Sequence, residues 1–167
     1  MTFNVLILCT GNSARSILGE ALFEHHGKGR VRAYSAGSRP GGVVNPVALE
    51  TLEKHGIALP EAPRSKSWDE FAAPGAAKMD FIFTVCSSAA GETCPVWPGH
   101  PTTAHWTIPD PAHVEPMEAR REAFEAAYRQ LDQRVRAFLA MDLATMSKKD
   151  IADAAKLIHE SCEAAEK

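Results

Sequence analysis

A cysteine and an arginine separated by five residues, Cys9 and Arg15, are the residues of this chain best suited to chemistry. The intervening loop is small and polar, and it follows an apolar run that is typical of a buried strand. A helical pattern begins at Arg15. Such a loop binds tetrahedral oxyanions, because its N–H groups converge on one point beside the positive end of the helix dipole. The sequence therefore predicts an oxyanion site with the Cys9 thiolate as nucleophile.

The residues around Cys9 have separate predicted roles. The Arg15 guanidinium can bind two oxygens of the oxyanion in bidentate fashion. Ser16 can donate its hydroxyl to the Cys9 thiolate, and Asn12 can hold the loop and adopt a left-handed backbone. The predicted oxyanion-binding residues are Thr10, Gly11, Asn12, Ser13, Ala14 and Arg15. The alternative is that Cys9 is a core cysteine at the end of a strand.

The composition indicates one globular domain and argues against several functional classes. The chain has 167 residues, 45% of them hydrophobic and 23% charged, and a net charge of −3 argues against nucleic-acid binding. No apolar run reaches the roughly 20 residues that a membrane span needs. The four cysteines contain no C-x-x-C pair, and the histidines have no ligand spacing near them, so neither zinc nor a disulfide framework is expected. The N-terminus has no signal-peptide pattern, which favours the cytoplasm.

Alternating strand and helix patterns predict the elements that position the loop. Apolar strands are expected at 3–8, 31–36, 80–85 and 105–106, and helices at 15–26, 46–55, 67–73 and 118–141. This order predicts a three-layer α/β fold with a four-stranded parallel sheet. Ser67 and Glu70 have the spacing of a capping box. We divide the chain into a domain of residues 1–142 and a C-terminal helical extension, 143–167, which Ser147 caps and which either lies at the periphery or binds a partner.

Residues 9–16 resemble the phosphate loop of the low-molecular-weight protein tyrosine phosphatase family. Asp110, followed by Pro111, matches the general acid of that family, and residues 34–37 and 45–46 match its second strand and second helix. The resemblance covers about residues 3–140 and implies that Asp110 protonates the leaving oxygen. Judged by itself, an aspartate between two prolines could equally be a turn residue.

Within this fold the chain is more similar to the arsenate reductases that use a cysteine relay. Those reductases carry a cysteine pair where this chain has Cys86 and Cys94, and Ala112 stands where phosphatases usually have an aromatic residue. The resemblance implies that Cys9 attacks arsenate, that a Cys9–Cys86 disulfide forms as arsenite leaves, and that Cys94 then exchanges with it. Residues 87–93 would loop out, and thioredoxin would reduce the Cys86–Cys94 pair. The remaining cysteine, Cys162, is interpreted as a bystander.

Two other functions remain open at this stage. One is a phosphotyrosine phosphatase that uses Cys9, Arg15 and Asp110, and the other is a non-catalytic protein that binds oxyanions or arsenite. The resemblance implies no organic cofactor, because thioredoxin would supply the electrons.

A potassium ion behind the phosphate loop is a feature of some of these reductases, and Asn12, Glu20 and Ser35 match its ligands. Lys66 falls in the connection that completes that site. The hypothesis is that its ammonium group takes the place of the cation and pairs with Glu20. The alternative is a solvated surface lysine.

Overall fold

A four-stranded parallel sheet forms the centre of the computed structural model, which describes residues 2–12, 14–59, 65–73, 75–85 and 101–166. The strands are β1 (Phe3–Cys9), β2 (Val31–Gly37), β3 (Phe81–Thr84) and β4 (Thr102–His105), in the spatial order β2-β1-β3-β4. Because every neighbouring pair is parallel, the C-terminal ends of the strands share one edge of the sheet. Cys9 lies on that edge, at the end of a central strand. The predicted fold class is confirmed.

The last strand begins earlier than the sequence predicts. The apolar character of Trp106 places the expected strand at 105–106, whereas the ladder with β3 starts at Thr102 and ends at His105. The β-branched side chains of Thr102 and Thr103 suit a strand although they are not apolar. Trp106 follows the ladder and donates its backbone N–H to the carbonyl of Thr84 over 2.7 Å.

The helices surround the sheet close to their predicted positions. They are α1 (Arg15–Gly27), α2 (Pro46–Lys54), α3 (Asp69–Ala72), α4 (Met117–Leu139) and α5 (Lys148–Ala165). Asn45 caps α2 by accepting the N–H of Val47, and Ser147 caps α5 by accepting the N–H of Asp150. These caps are recognisable in the sequence because they depend on residues only two or three positions apart.

The Ser67 cap of the capping box predicted at Ser67 and Glu70 is present, although α3 is counted from Asp69. Trp68 already has helical backbone angles, with φ of −62° and ψ of −20°, and the Ser67 hydroxyl accepts the N–H of Asp69 two positions later, as an N-cap side chain does. Ser67 forms a parallel bridge with Gly37, and Trp68 donates its N–H to the Gly37 carbonyl. Ser67 therefore both pairs with the end of β2 and caps the first turn of α3.

Alternate residues of β1 pack into two separate hydrophobic layers. Val5, Ile7 and Cys9 face the larger layer, while Leu6 and Leu8 face the smaller one, as expected for successive residues of a strand. The larger layer contains a cluster of aromatic rings formed by Phe23, Phe83, Trp106 and Phe138. The core thus fixes the strand that ends at Cys9 from both faces.

Helix α5 packs against the larger layer through a narrow apolar side. Ile151 and Ala155 are buried, and the indole N–H of Trp106 donates to the carbonyl of Ala155 over 2.9 Å. In the part of the chain that the structure describes, no helix has the length and hydropathy required for a membrane span.

Candidate active site

The sulfur of Cys9 is buried at the start of the phosphate loop and lies close to two hydrogen-bond donors. The backbone N–H of Asn12 donates to Sγ over 3.2 Å, and the hydroxyl of Ser16 lies 3.1 Å from Sγ. The Asn12 side-chain amide donates to Ser16 Oγ over 2.8 Å, which leaves the Ser16 hydroxyl proton available for the sulfur. Both donors stabilise negative charge on Cys9, the form in which a thiol is a nucleophile.

The phosphate loop is held from its outer side by bonds to its carbonyl groups. Thr10 O accepts the N–H of Arg39 over 3.0 Å. Gly11 O accepts both the N–H of Gly41 over 3.0 Å and the hydroxyl of Ser65 over 2.9 Å. These bonds hold the loop backbone in a fixed conformation from its outer side, and a fixed set of donors is what oxyanion binding requires.

Asn12 adopts the left-handed backbone that its position in the loop predicts, with φ of 47°. Its side-chain carbonyl accepts the backbone N–H of Lys66 over 2.8 Å. Ala14 is buried immediately before α1, and its carbonyl accepts the N–H of Leu18. Ser13, another predicted oxyanion-binding residue, lies outside the described residues.

Arg15 and Asp110 meet at the mouth of the same pocket, although they are distant in sequence. Arg15 Nη1 donates to the carbonyl of Ile108 over 2.8 Å, and Nη2 lies 3.6 Å from Asp110 Oδ2. Asp110 Oδ1 accepts the N–H of Ala112 over 2.9 Å, and the Asp110 side chain is 42% exposed. An acid in this position is open to solvent and adjacent to the cation that would bind the oxyanion.

The pocket has a volume of about 240 Å³ and is bounded by the phosphate loop, Asp110, Ala112 and His113. Ala112 presents only a methyl group to this space. A pocket of this size with a thiol at its base and a guanidinium at its rim suits a small tetrahedral oxyanion.

Glu20, Ser35 and Lys66 form a polar cluster behind the loop. Ser35 Oγ donates to Glu20 Oε1 over 2.6 Å, and Lys66 Nζ lies 3.4 Å from Ser35 Oγ and 3.9 Å from Glu20 Oε1. Burial raises the pKa of Glu20, and the Ser35 hydrogen bond and the Lys66 charge oppose this rise.

Cys86 and Cys94 lie outside the described residues. Val85, the last described residue before them, donates its N–H to the carbonyl of Leu8, next to Cys9 in β1. Cys162 lies on α5 as a half-buried free thiol. Among the residues that are described, no three His, Cys, Asp or Glu side chains form a group that could hold a metal ion.

Sequence reasoning assigned no role to Gly37 or to His113, which both lie at the site. Gly37 pairs with Cys9 in the sheet register, and a Cβ at Gly37 would lie 2.4 Å from Thr10 O. The position of Gly37 at the end of the predicted second strand is the sequence feature that could have identified it. His113 lines the mouth of the pocket, and its place three residues after Asp110 gave a weak indication of this.

A family model described as low molecular weight phosphotyrosine protein phosphatase matches residues 4–152. The chain belongs to this family. The family match contains the phosphate loop, Arg15 and Asp110, and it ends within α5.

The proteins that this chain is similar to are named for two different activities. An arsenate reductase from Shouchella clausii is 31% identical over 135 residues, which cover 80% of this chain and 93% of that protein. An arsenate reductase structure from Archaeoglobus fulgidus is 28% identical with a TM-score of 0.62, covering 82% of this chain and 99% of that one. A low-molecular-weight phosphotyrosine phosphatase from Vibrio cholerae shares the fold at 20% identity and a TM-score of 0.64, covering 85% and 96%.

Proposed function

We propose that this chain is a cytoplasmic arsenate reductase that takes its electrons from thioredoxin. The observation that carries the proposal is the small pocket around Cys9, in which Ala112 supplies no ring surface for an aryl group. The relatives named arsenate reductase support it, because they share about a third of their residues with most of this chain. Cys86 and Cys94 supply the two further thiols that a relay requires.

In the first step, the Cys9 thiolate attacks arsenic and one arsenate oxygen leaves. Arg15 turns from the Ile108 carbonyl to bind the arsenate oxygens, since its guanidinium already lies at the pocket. Asp110 donates a proton to the departing oxygen, so that it leaves as a neutral group. The product is a covalent Cys9–As(V) adduct.

The reduction follows when the Cys86 thiolate attacks the Cys9 sulfur. The Cys9–As bond breaks and its electron pair stays on arsenic, so that arsenite, As(III), leaves as the Cys9–Cys86 disulfide forms. Cys94 then attacks Cys86, which releases the Cys9 thiolate and leaves a Cys86–Cys94 disulfide. The two thiols of thioredoxin reduce this disulfide and return the two electrons that arsenic received.

Stepwise arsenite release tests the relay. Pre-reduced protein without thioredoxin should release one arsenite per chain for the wild type and for Cys94→Ser, and none for Cys9→Ser or Cys86→Ser. With thioredoxin, thioredoxin reductase and NADPH, continuous turnover should fall at least about a hundredfold in all three variants. Each variant lacks one of the three sulfur atoms through which the disulfide is exchanged. Cys162→Ser is the matched control and should turn over like the wild type.

The competing function is hydrolysis of phosphotyrosine, which the match to the phosphatase family favours. It predicts that Cys86→Ser and Cys94→Ser hydrolyse an aryl phosphate at the wild-type rate while no variant consumes NADPH with arsenate. Continued NADPH oxidation in both variants would overturn the relay.

A further inference from the structure

Asp110 lies in the loop that follows β4, and its side chain is 42% exposed. We call residues 107–116, between β4 and α4, the acid loop. Its first half is tied to the sheet and the phosphate loop. Ile108 donates its N–H to the carbonyl of Val85 over 2.9 Å, and its own carbonyl accepts Arg15.

The middle of the acid loop folds into one compact turn. Ala112 donates its N–H to Asp110 Oδ1, and Val114 donates its N–H to the carbonyl of Pro111 over 3.5 Å. Pro111 is buried, and Ala112 packs against the larger core layer. A displacement of Val114 would therefore be transmitted to the residues that orient the Asp110 carboxylate.

Arg120, in the first turns of α4, binds the far end of this turn. Its Nε donates to the carbonyl of Val114 over 2.9 Å, and its Nη2 lies 4.0 Å from Glu115 Oε1. The Arg120 side chain is 23% exposed, so water competes only partly for the guanidinium. The helix thus contributes a fixed donor to a loop that carries the acid.

We propose that Arg120 is a positioning residue that holds the acid loop in the conformation in which Asp110 donates its proton. The proposal rests on the proposed role of Asp110 as general acid. Arg120 does not line the pocket, so it acts on proton donation and not on binding of the oxyanion.

Arg120→Gln tests the proposal, with Arg121→Gln as its matched control. Arg121 is the next residue of α4, pairs with Glu50 over 2.8 Å and is 56% exposed, away from the acid loop. In single turnover with pre-reduced protein, Arg120→Gln should lower the rate at saturating arsenate about five- to tenfold, because a misplaced acid protonates the leaving oxygen less often. The arsenate concentration for half-maximal rate should stay within about twofold of wild type. Arg121→Gln should match the wild type in both.

The double variant Arg120→Gln/Asp110→Asn separates positioning from a structural role. If Arg120 acts through Asp110, adding Arg120→Gln to Asp110→Asn causes no further loss of rate. An equal loss in both backgrounds, or a loss confined to arsenate affinity, would overturn the proposal. A thermal unfolding curve of each variant confirms that the compared proteins are folded.

Failure of the proposed function is distinguishable from failure of this inference. If the wild type hydrolyses an aryl phosphate but releases no arsenite, arsenate reduction is wrong, and the wild type and the same variants are compared in hydrolysis, where Asp110 protonates the leaving phenolate. A wild type that reduces arsenate while Arg120→Gln keeps its full rate overturns only the role of Arg120. A wild type with neither activity overturns both.

Discussion

Lys66 contacts the polar cluster behind the phosphate loop through two different groups. Its backbone N–H binds the Asn12 side chain, and its ammonium lies near Ser35 and Glu20. Asn12, Ser35 and Glu20 are the residues for which the sequence resemblance implies a potassium site. The Lys66 side chain is only 11% exposed, which differs from a solvated surface lysine. The Lys66 ammonium thus supplies a positive charge behind the phosphate loop.

Replacing Lys66 with Gln should make the stability of the protein depend on potassium. The variant leaves the buried Glu20 carboxylate without the ammonium charge, so a cation that binds there stabilises the folded state. We expect KCl to raise the melting temperature of Lys66→Gln by a few degrees, roughly the effect of 1 kcal/mol, above an equal concentration of tetramethylammonium chloride. The wild type should respond equally to the two salts.

Lys54→Gln controls for the loss of a lysine, because Lys54 is 67% exposed and pairs with Glu125 on the surface. Equal melting temperatures of Lys66→Gln in the two salts would contradict the idea that Lys66 replaces a cation.

At the scale of the elements, local signals predicted most of the fold. The apolar run of β1, the Asn45 cap of α2 and the Ser147 cap of α5 depend on neighbours in sequence, and the structure places all three as expected. The pairing of Ser67 with Gly37 was not predicted, because the two residues lie 30 positions apart in sequence and meet only in the folded chain.

The candidate site divides in the same way between local and distant contacts. The hydrogen bonds among Cys9, Asn12 and Ser16 join residues at most seven positions apart, and the residue types indicated the bond between Ser16 and Cys9. The approach of Arg15 to Ile108 and Asp110 depends on how the sheet brings its strand ends together. Asp110 was found only through a family resemblance, since periodicity carries no information about such contacts.

Gly37→Ala should disrupt the phosphate loop, because β2 passes too close for a side chain. A methyl group at Gly37 would lie 2.4 Å from Thr10 O and 2.9 Å from Cys9 O, so the loop backbone must move. We expect a loss of about 1–3 kcal/mol in the free energy of unfolding, the usual cost of overpacking. Phosphate affinity should fall about tenfold or more, because the loop donors no longer converge.

Urea unfolding and calorimetric titration with phosphate measure the two effects. Gly41→Ala is the matched control, because Gly41 also contacts the loop but has open space where a Cβ would lie. Wild-type phosphate affinity in Gly37→Ala would show that the loop tolerates the displacement.

At the scale of the whole molecule, a buried arginine of α4 binds the C-terminal helix α5 to the rest of the fold. Arg134 on α4 is 1% exposed and forms two hydrogen bonds of 2.9 Å with Glu166, just past the end of α5. Its Nη1 also donates to the carbonyl of Gln130, and its Nε donates to His159 Nδ1 over 3.0 Å. Hydrogen bonding to Arg134 lowers the pKa of Glu166. Glu166 thus supplies the negative charge that compensates the buried Arg134, and His159 of α5 supplies a further hydrogen-bond acceptor.

The contact between Arg134 and His159 requires a neutral imidazole, because Nδ1 accepts the guanidinium proton. Burial and the Arg134 charge lower the pKa of His159, and Glu163, Glu166 and Glu160 oppose them. The folded state therefore binds fewer protons at His159 than the unfolded chain, whose histidine pKa is about 6.5. Stability must then decrease as the pH falls below that value.

His159→Gln should reduce this loss of stability, because a glutamine oxygen can accept the Arg134 hydrogen bond without titrating. Urea unfolding midpoints between pH 7.5 and 5.5 measure it, in a range above the titration of Glu166, whose pKa is lowered and whose contribution is lost only at more acidic pH. We expect a flatter pH dependence for His159→Gln than for the wild type. His25→Gln, which replaces an exposed histidine of α1, controls for the loss of an imidazole and should follow the wild type. Parallel curves for His159→Gln and the wild type would show that protonation of His159 does not loosen α5.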